Sequence, residues 1–313
     1  MLQTGRLREV IAWDDHPIRS LLFAPGSEPR RLARVGTFGS DAVALDLEDA
    51  VAANAKDDAR RLVADAVARM DPHGMLAVRV NAPGSSWFEA DLEAVVQPNL
   101  DCLVLPKVED RDYLRTVDEL LSELEESRGM APGKIRLVLT LETARGVDNV
   151  GEVLSFDPPT DRLAAVLFGA VDFVLETGIE PGLDEIELIY PRSKVVLAAR
   201  AAGVPRILDG PWTRIDDLAG LDRAVERSRR LGFTGRGVIH PSHVRPVQRG
   251  WWLLAEAEAE MCRQIVSAFE SSLADGRASI RVGEEFVDYP VYHRARQRLA
   301  RHLSVTDERT DVS

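Results

Sequence analysis

Cysteine is scarce in this chain, and its scarcity excludes two kinds of protein at once. The 313 residues contain only Cys102, in a strand-like run, and Cys262, in a helical stretch, too few for a disulfide framework or a cysteine-built metal site. A reducing cytoplasm is the simplest compartment. No run of about eighteen apolar residues occurs, so no segment reads as a transmembrane helix. The opening Met1-Leu-Gln-Thr-Gly-Arg-Leu-Arg-Glu-Val has no apolar stretch long enough for a signal peptide. Basic residues are outnumbered: 39 Lys and Arg stand against 51 Asp and Glu, a net charge of -12, which argues against a general nucleic-acid or anionic-membrane binder. A dinucleotide loop of the form G-x-G-x-x-G is missing after the first strand-like run.

What the chain has is alternation. Eight apolar runs, each bounded by turn residues, are Ile18–Phe23, Ala42–Leu47, Leu76–Val80, Cys102–Leu105, Ile135–Leu141, Leu163–Phe168, Arg206–Leu208 and Gly237–Ile239. Stretches of helical periodicity follow them: Pro29–Val35, Ala55–Met70, Glu89–Val96, Arg111–Arg128, Val147–Leu154, Asp184–Ala202, Ile215–Leu231 and Trp251–Leu273. Strand and helix in strict turn force parallel strands and right-handed crossovers, so the expected fold is an α/β (β/α)8 TIM barrel, with an open doubly wound sheet as the alternative. The expected layout is an N-terminal lead over 1–17, a catalytic barrel over 18–273, a C-terminal lid or oligomerisation segment over 274–303 and a flexible tail over 304–313. The segment 274–303 reads equally well as a plain stabilising appendage.

In a barrel of parallel strands the chemistry gathers at the carboxyl ends. There stand Pro25 and Gly26, the Asp46-Leu-Glu48-Asp49 run, Arg79 with Asn81, Lys107, Glu142, Asp172, Asp209 and His240. Glu142 and Asp172 each follow an apolar run, the way an enzyme hangs a hard cation from the rim of a sheet. Two carboxylates with substrate oxygens and water suit Mg²⁺. Each acid alone also reads as a helix cap. By alternation Asp46 and Glu48 share one strand face, and unpaired buried charges are costly, so the group requires a cation, an arginine partner or substrate. An internal salt-bridge network of Glu48, Arg79 and Lys107 is the competing reading. His240, a lone histidine before proline, reads as a hydrogen-bonded loop residue.

Several segments in order resemble one family. Arg19-Ser-Leu-Leu-Phe-Ala-Pro-Gly26, Asp46-Leu-Glu-Asp-Ala-Val51, Val78-Arg-Val-Asn81, Leu105-Pro-Lys107, Leu141-Glu-Thr-Ala-Arg-Gly146, Gly169-Ala-Val-Asp172, Asp209-Gly-Pro211 and Gly232 to Pro241 are similar to the citrate lyase beta-subunit-like proteins, a CoA-thioester lyase branch of the pyruvate and phosphoenolpyruvate barrels. The likeness spans about Ile18 to Leu299. It implies a Mg²⁺-dependent carbon-carbon lyase acting on a 3-hydroxyacyl-CoA, of malyl-CoA or citramalyl-CoA type, to give an acyl-CoA and a 2-oxo acid. By that resemblance Glu142 and Asp172 match the metal ligands, and Arg79 matches the arginine facing the oxo acid and the developing enolate. Glu48 and Asp49 match the acidic pair behind the metal and its waters. Asp288, in Phe286-Val-Asp-Tyr-Pro290, matches an aspartate that transfers a proton in a neighbouring subunit's site, which implies a homo-oligomer, a trimer or hexamer. Arg19, Pro25, Gly26, Arg30, Arg34, Asn81 and Lys107 are the expected contacts to substrate or CoA.

The chain departs from the family at Val171, where a glutamate is common, at Glu28, where a polar or basic residue is frequent, and around Tyr190-Pro191-Arg192 and Pro211 to Arg214. Three other activities therefore stay open: hydrolysis of a 3-hydroxyacyl-CoA thioester, a CoA-independent pyruvate-type aldolase, and a non-catalytic subunit of a lyase complex.

Overall fold

The computed structural model describes residues 17–72, 74–156, 160–252 and 254–307, with side chains in the last helix described to 303. The expected lead over 1–17 therefore lies outside the described residues except for its last position, and so does the tail beyond Asp307.

All eight expected strands form, and they close on themselves in sequence order: β1 (Ser20–Pro25), β2 (Ala42–Asp46), β3 (Met75–Arg79), β4 (Cys102–Leu105), β5 (Arg136–Leu141), β6 (Leu163–Phe168), β7 (Arg206–Asp209) and β8 (Gly235–Val238). Every pairing is parallel, including β1 against β8, so the open-sheet alternative is excluded. Closure has a local requirement at Gly235. A Cβ there would lie 1.8 Å from the Ile18 carbonyl, so only glycine lets the last strand approach the first.

The helices are α1 (Pro29–Val35), α2 (Lys56–Arg69), α3 (Phe88–Val95), α4 (Arg111–Ser127), α5 (Ala144–Asp148), α6 (Val150–Val153), α7 (Ala170–Thr177), α8 (Ile189–Ala201), α9 (Leu218–Leu231), α10 (Val244–Trp252), α11 (Glu256–Ala274) and α12 (Tyr289–Asp307). Several expected bounds shift for visible reasons. The helix expected over Val147–Leu154 is two short ones that meet at Asn149. The one expected from Ile215 starts at Leu218, where the Asp217 carboxylate caps it by accepting from Gly220 N at 2.8 Å. The one expected from Asp184 starts at Ile189, because Glu185 takes a left-handed backbone with φ 47°. Helix α7 was not expected; it follows Gly169 at once and carries Asp172 in its first turn.

Alternation sorts the strands cleanly. Leu21, Ala42, Ala44, Met75, Ala77, Cys102, Val104, Val138, Ala165, Leu167 and Leu208 form one apolar cluster inside the barrel, with Phe23 packed on it. Following the same parity toward the carboxyl ends, β2 reaches Asp46, β3 reaches Arg79, and β5 runs Val138, Thr140, Glu142. The interior thus changes from apolar to charged along the strand direction.

The chain divides into two compact units, residues up to Val247 and from Gln248 onward. The division comes earlier than the expected 273, and α11, expected as the barrel's eighth helix, groups with the C-terminal unit. That unit contains the end of α10, then α11, an antiparallel hairpin of β9 (Ile280–Val282) and β10 (Glu285–Val287), and α12. Its own core gathers Ala259, Cys262, Ile265, Phe269, Val287, Tyr292 and Ala295, with Phe269 stacked on Tyr292 at 4.9 Å. Helix α12 extends through Asp307, into the stretch 304–313 expected as tail. No described helix is long and apolar enough to cross a membrane.

Candidate active site

A cavity of about 420 Å³ opens at the carboxyl ends of the strands, lined by Asp46, Asp49, Arg79, Thr140, Glu142 and Asp172 among others. Its charges are ordered by strand register. Asp46 and Arg79 are Cα partners across β2 and β3, and the guanidinium binds the carboxylate through both arms, Nε to Oδ1 at 2.8 Å and Nη2 to Oδ2 at 2.5 Å. The third nitrogen, Nη1, lies 3.1 Å from Glu48 Oε2, and the Lys107 ammonium lies 3.1 Å from Glu48 Oε1. The Phe23 ring supports the guanidinium at 5.2 Å. Burial pulls the Arg79 pKa down, but Asp46 and then Glu48 outweigh it, so the pKa stands above the ordinary value and the cation is permanent.

Glu142 leaves β5 buried. Its Oε1 accepts the Lys107 N–H at 2.8 Å, and a Cβ on Gly169 would sit 2.4 Å from its Cβ and 2.5 Å from Oε2. Gly169 is therefore what lets the Glu142 carboxylate occupy its place. Burial, then the charges of Glu48 and Asp172, push the Glu142 carboxyl up to about 8. Asp172 is raised as well, by burial first and then Asp49, while a hydrogen bond with Glu142 opposes the shift. The two acids lie within hydrogen-bonding reach, and burial and neighbouring carboxylates raise both. A divalent cation would relieve their mutual repulsion, so the donor set fits one. Among the described residues no group of three or more His, Cys, Asp or Glu is arranged to hold an ion, which leaves Glu142 and Asp172 as a two-carboxylate set.

A second layer holds the acidic loop after β2. Buried Lys56, from the first turn of α2, donates to the carbonyls of Leu47 and Glu48, each at 2.7 Å, and to Asn81 Oδ1 at 2.6 Å. The Asn81 amide in turn donates to Asp91 at 2.6 Å, which also binds Arg60 Nε at 2.8 Å. This chain of partners ties α2, α3 and the ends of two strands into one mount.

The expected residues thus separate. Asp49, Arg79, Glu142 and Asp172 line one cavity, and Pro25 lies on its wall. Glu48 and Lys107 form the ion network with Arg79 that was the competing reading, beside the cavity rather than instead of it. Arg19 is a correction: it stands just before β1, at the amino end of the barrel, and clamps Asp41 at 2.7 and 2.9 Å. Asn81 is another, since its side chain is buried between Lys56 and Asp91. The Gly26 N–H is used by the Asp46 carbonyl at 2.8 Å, so glycine serves packing there. Arg30 and Arg34 are exposed on α1 and do not line the cavity, whereas Arg31 does, paired with Glu28 at 2.7 Å. Asp288 belongs to the C-terminal unit, where its Oδ1 accepts from Val291 N at 3.3 Å and caps α12. His240 is half-buried and bonded to Ser242 Oγ at 2.7 Å, in keeping with its loop reading. Asp209 ends β7 fully buried between Arg192 and Arg236, at 3.1 and 3.2 Å, a structural ion cluster.

Sequence reasoning missed Arg31, Lys56 and Thr140. Lys56 carried a readable signal, a lysine in the first turn of α2, where the helix dipole disfavours a cation. Thr140 carried one too, a polar residue in the middle of an apolar strand.

A closed parallel barrel with carboxylates and an arginine at its carboxyl rim defines the class of metal-assisted barrel enzymes. Residues 19–241 match the model of the HpcH/HpaI aldolase/citrate lyase family, and the chain belongs to that family. Its relatives include the citrate lyase subunit beta of Leuconostoc mesenteroides, 30% identical over 89% of this chain and 91% of that one. The (3S)-malyl-CoA thioesterase of Cereibacter sphaeroides is 32% identical over 93% of this chain and 96% of that one. Among solved structures, the CitE protein of Mycobacterium tuberculosis in complex with magnesium, acetoacetate and coenzyme A superposes with a TM-score of 0.75 at 28% identity, over 91% of this chain and 98% of that one.

Proposed function

We propose that this protein is a Mg²⁺-dependent lyase that cleaves or forms a 3-hydroxyacyl-CoA, such as malyl-CoA or citramalyl-CoA, at the bond between an acyl-CoA and a 2-oxo acid. The observation that carries this reading is the Glu142–Asp172 carboxylate pair facing the Asp46-anchored Arg79 across one cavity. The CitE structure with magnesium, acetoacetate and coenzyme A supports this ligand chemistry by similarity.

Glu142 and Asp172 would hold the cation, which supplies Lewis-acid charge to the oxygens of the oxo acid. Cleavage takes a proton from the 3-hydroxyl, turns that oxygen into the carbonyl of the oxo acid, and moves the electrons of the broken carbon-carbon bond into a thioester enolate, which is then protonated at carbon. Arg79 lines the cavity with its guanidinium fixed by Asp46 and Glu48, so its positive charge would meet developing negative charge without reorganisation. Glu48 holds the third nitrogen, and the Lys107 ammonium holds Glu48. Asp49, which lines the cavity, and Asp288, reaching a neighbouring copy in a trimer or hexamer, are the proposed carboxylates for proton transfer.

A second reading is favoured by the thioesterase relative at 32% identity: the same cavity would direct water at the thioester carbonyl. Incubation of the protein with Mg²⁺ and a panel of 3-hydroxyacyl-CoA thioesters, with 2-oxo acid and free CoA followed separately, decides between them. Oxo acid in step with acyl-CoA supports the lyase. Free CoA without oxo acid overturns it in favour of the thioesterase, and neither product points to the CoA-independent or non-catalytic reading.

A further inference from the structure

One residue on the wall of the cavity has a buried polar atom without a partner. Thr140 Oγ1 is buried, its residue is 2% exposed, and it makes no hydrogen bond, although the residue lines the cavity. Leaving a buried hydroxyl unpaired costs stability, and a valine of the same shape would avoid that cost. Position favours a ligand over accident. Thr140 has the inward parity of Val138 and Glu142 on β5, one step below Glu142, and its Cα partner on β6 is Leu167, also on the cavity wall. The interior is apolar below this level and charged above it, so Thr140 stands at the floor of the cavity, beneath Glu142, Asp172 and Arg79.

We propose that Thr140 is a substrate-contact residue whose hydroxyl completes its hydrogen bonding only when an oxygen of the 2-oxo acid half reaches it, and that this contact selects the oxo acid over an analogue lacking that oxygen. The proposal rests on the lyase reading for the identity of the ligand. It predicts opposite signs for one substitution: Thr140→Val stabilises the ligand-free barrel and weakens the ligand-bound one.

The test compares wild type, Thr140→Val and Thr140→Ser by calorimetric titration with pyruvate, glyoxylate and oxaloacetate in the presence of Mg²⁺, beside thermal melts without ligand. Thr140→Val is expected to bind the best of these acids about tenfold more weakly while melting about 2 °C higher, and Thr140→Ser, which keeps the hydroxyl, to bind within about twofold of wild type. If Thr140→Val does not fold, Thr140→Ala against Thr140→Ser gives the same binding comparison. Equal affinity in the variants with and without the hydroxyl overturns the proposal, as does a fall of the Thr140→Val melting temperature together with unchanged binding. Binding is read apart from turnover. Loss of affinity in a protein that cleaves no CoA thioester would sink the lyase reading and leave this contact standing; full turnover with unchanged affinity would do the reverse.

Discussion

Lys107 touches both halves of the acidic rim: its backbone N–H donates to Glu142 Oε1 at 2.8 Å, and its ammonium lies 3.1 Å from Glu48 Oε1. It does this from a left-handed backbone, φ 53°, which a non-glycine residue occupies only at a cost of about 1 kcal/mol. Lys107→Met keeps that strain and loses the ion pair, whereas Lys107→Gly loses both. The glycine variant is therefore expected to melt higher than the methionine variant, with both reduced in turnover. A glycine variant that melts at or below the methionine variant would show that the conformation carries no strain.

The raised carboxyls of Glu142 and Asp172 set how the protein responds to pH without metal. The Glu142 carboxyl stands at about 8 against an ordinary 4.5, so the folded state holds the proton more tightly than the unfolded one. Its contribution to stability is full below pH 4.5 and is lost as the pH rises toward about 8. In a chelator the melting temperature should fall across that window, and Glu142→Gln should flatten the fall without abolishing it, since Asp172 and Glu48 shift the same way. A wild type and a Glu142→Gln variant with identical pH slopes would contradict this.

Metal addition reads the same pair from the other side. Mg²⁺ would bind the ionised carboxylates, so titration at pH 7 is expected to release protons and to raise the melting temperature, and Asp172→Asn or Glu142→Gln should remove both effects. Calorimetry in buffers of different ionisation enthalpy measures the protons directly.

Arg79 is held as a fork, and a lysine cannot reproduce that. Arg79→Lys keeps the charge but loses the two-armed bond to Asp46, so kcat/KM is expected to fall about a hundredfold or more, with a small change in melting temperature. Steady-state kinetics on the thioester that proves active gives the number, and a loss under fivefold would mean that charge alone suffices.

Lys56 acts at one remove. Lys56→Met leaves the carbonyls of Leu47 and Glu48 and the Asn81 oxygen without their donor, at a cost of about 3 kcal/mol in urea unfolding. If the lysine positions the acidic loop, kcat should fall with little change in the Mg²⁺ affinity of Glu142 and Asp172, which respectively follow β5 and stand on α7.

The strands were legible because parallel strands covered on both faces read as unbroken apolar runs, and their alternation with helices leaves few closures to choose from. The acids were legible because each stands where such a run stops. Arg19 was misplaced for a reason equally physical. It lies within the first apolar run, but the strand starts at Ser20, so the side chain belongs to the amino end, opposite the chemistry. Asp172 sits in the first turn of a helix whose eight residues are too few to show a period. Arg31 and Arg30 differ by one position on α1, and only the three-dimensional path of that helix decides which one meets the cavity.

By itself the sequence determined the count and order of the strands, the charge of their carboxyl ends and the family, because those depend on local periodicity and on residues adjacent in the chain. Tertiary structure alone decided which charges meet. Asp46 faces Arg79, Lys107 reaches Glu142 and Glu48, and Thr140 is left unpartnered, through strand register and barrel closure. A shift of one residue in register would exchange every inward side chain for an outward one, and nothing in the local pattern of a single strand fixes that choice.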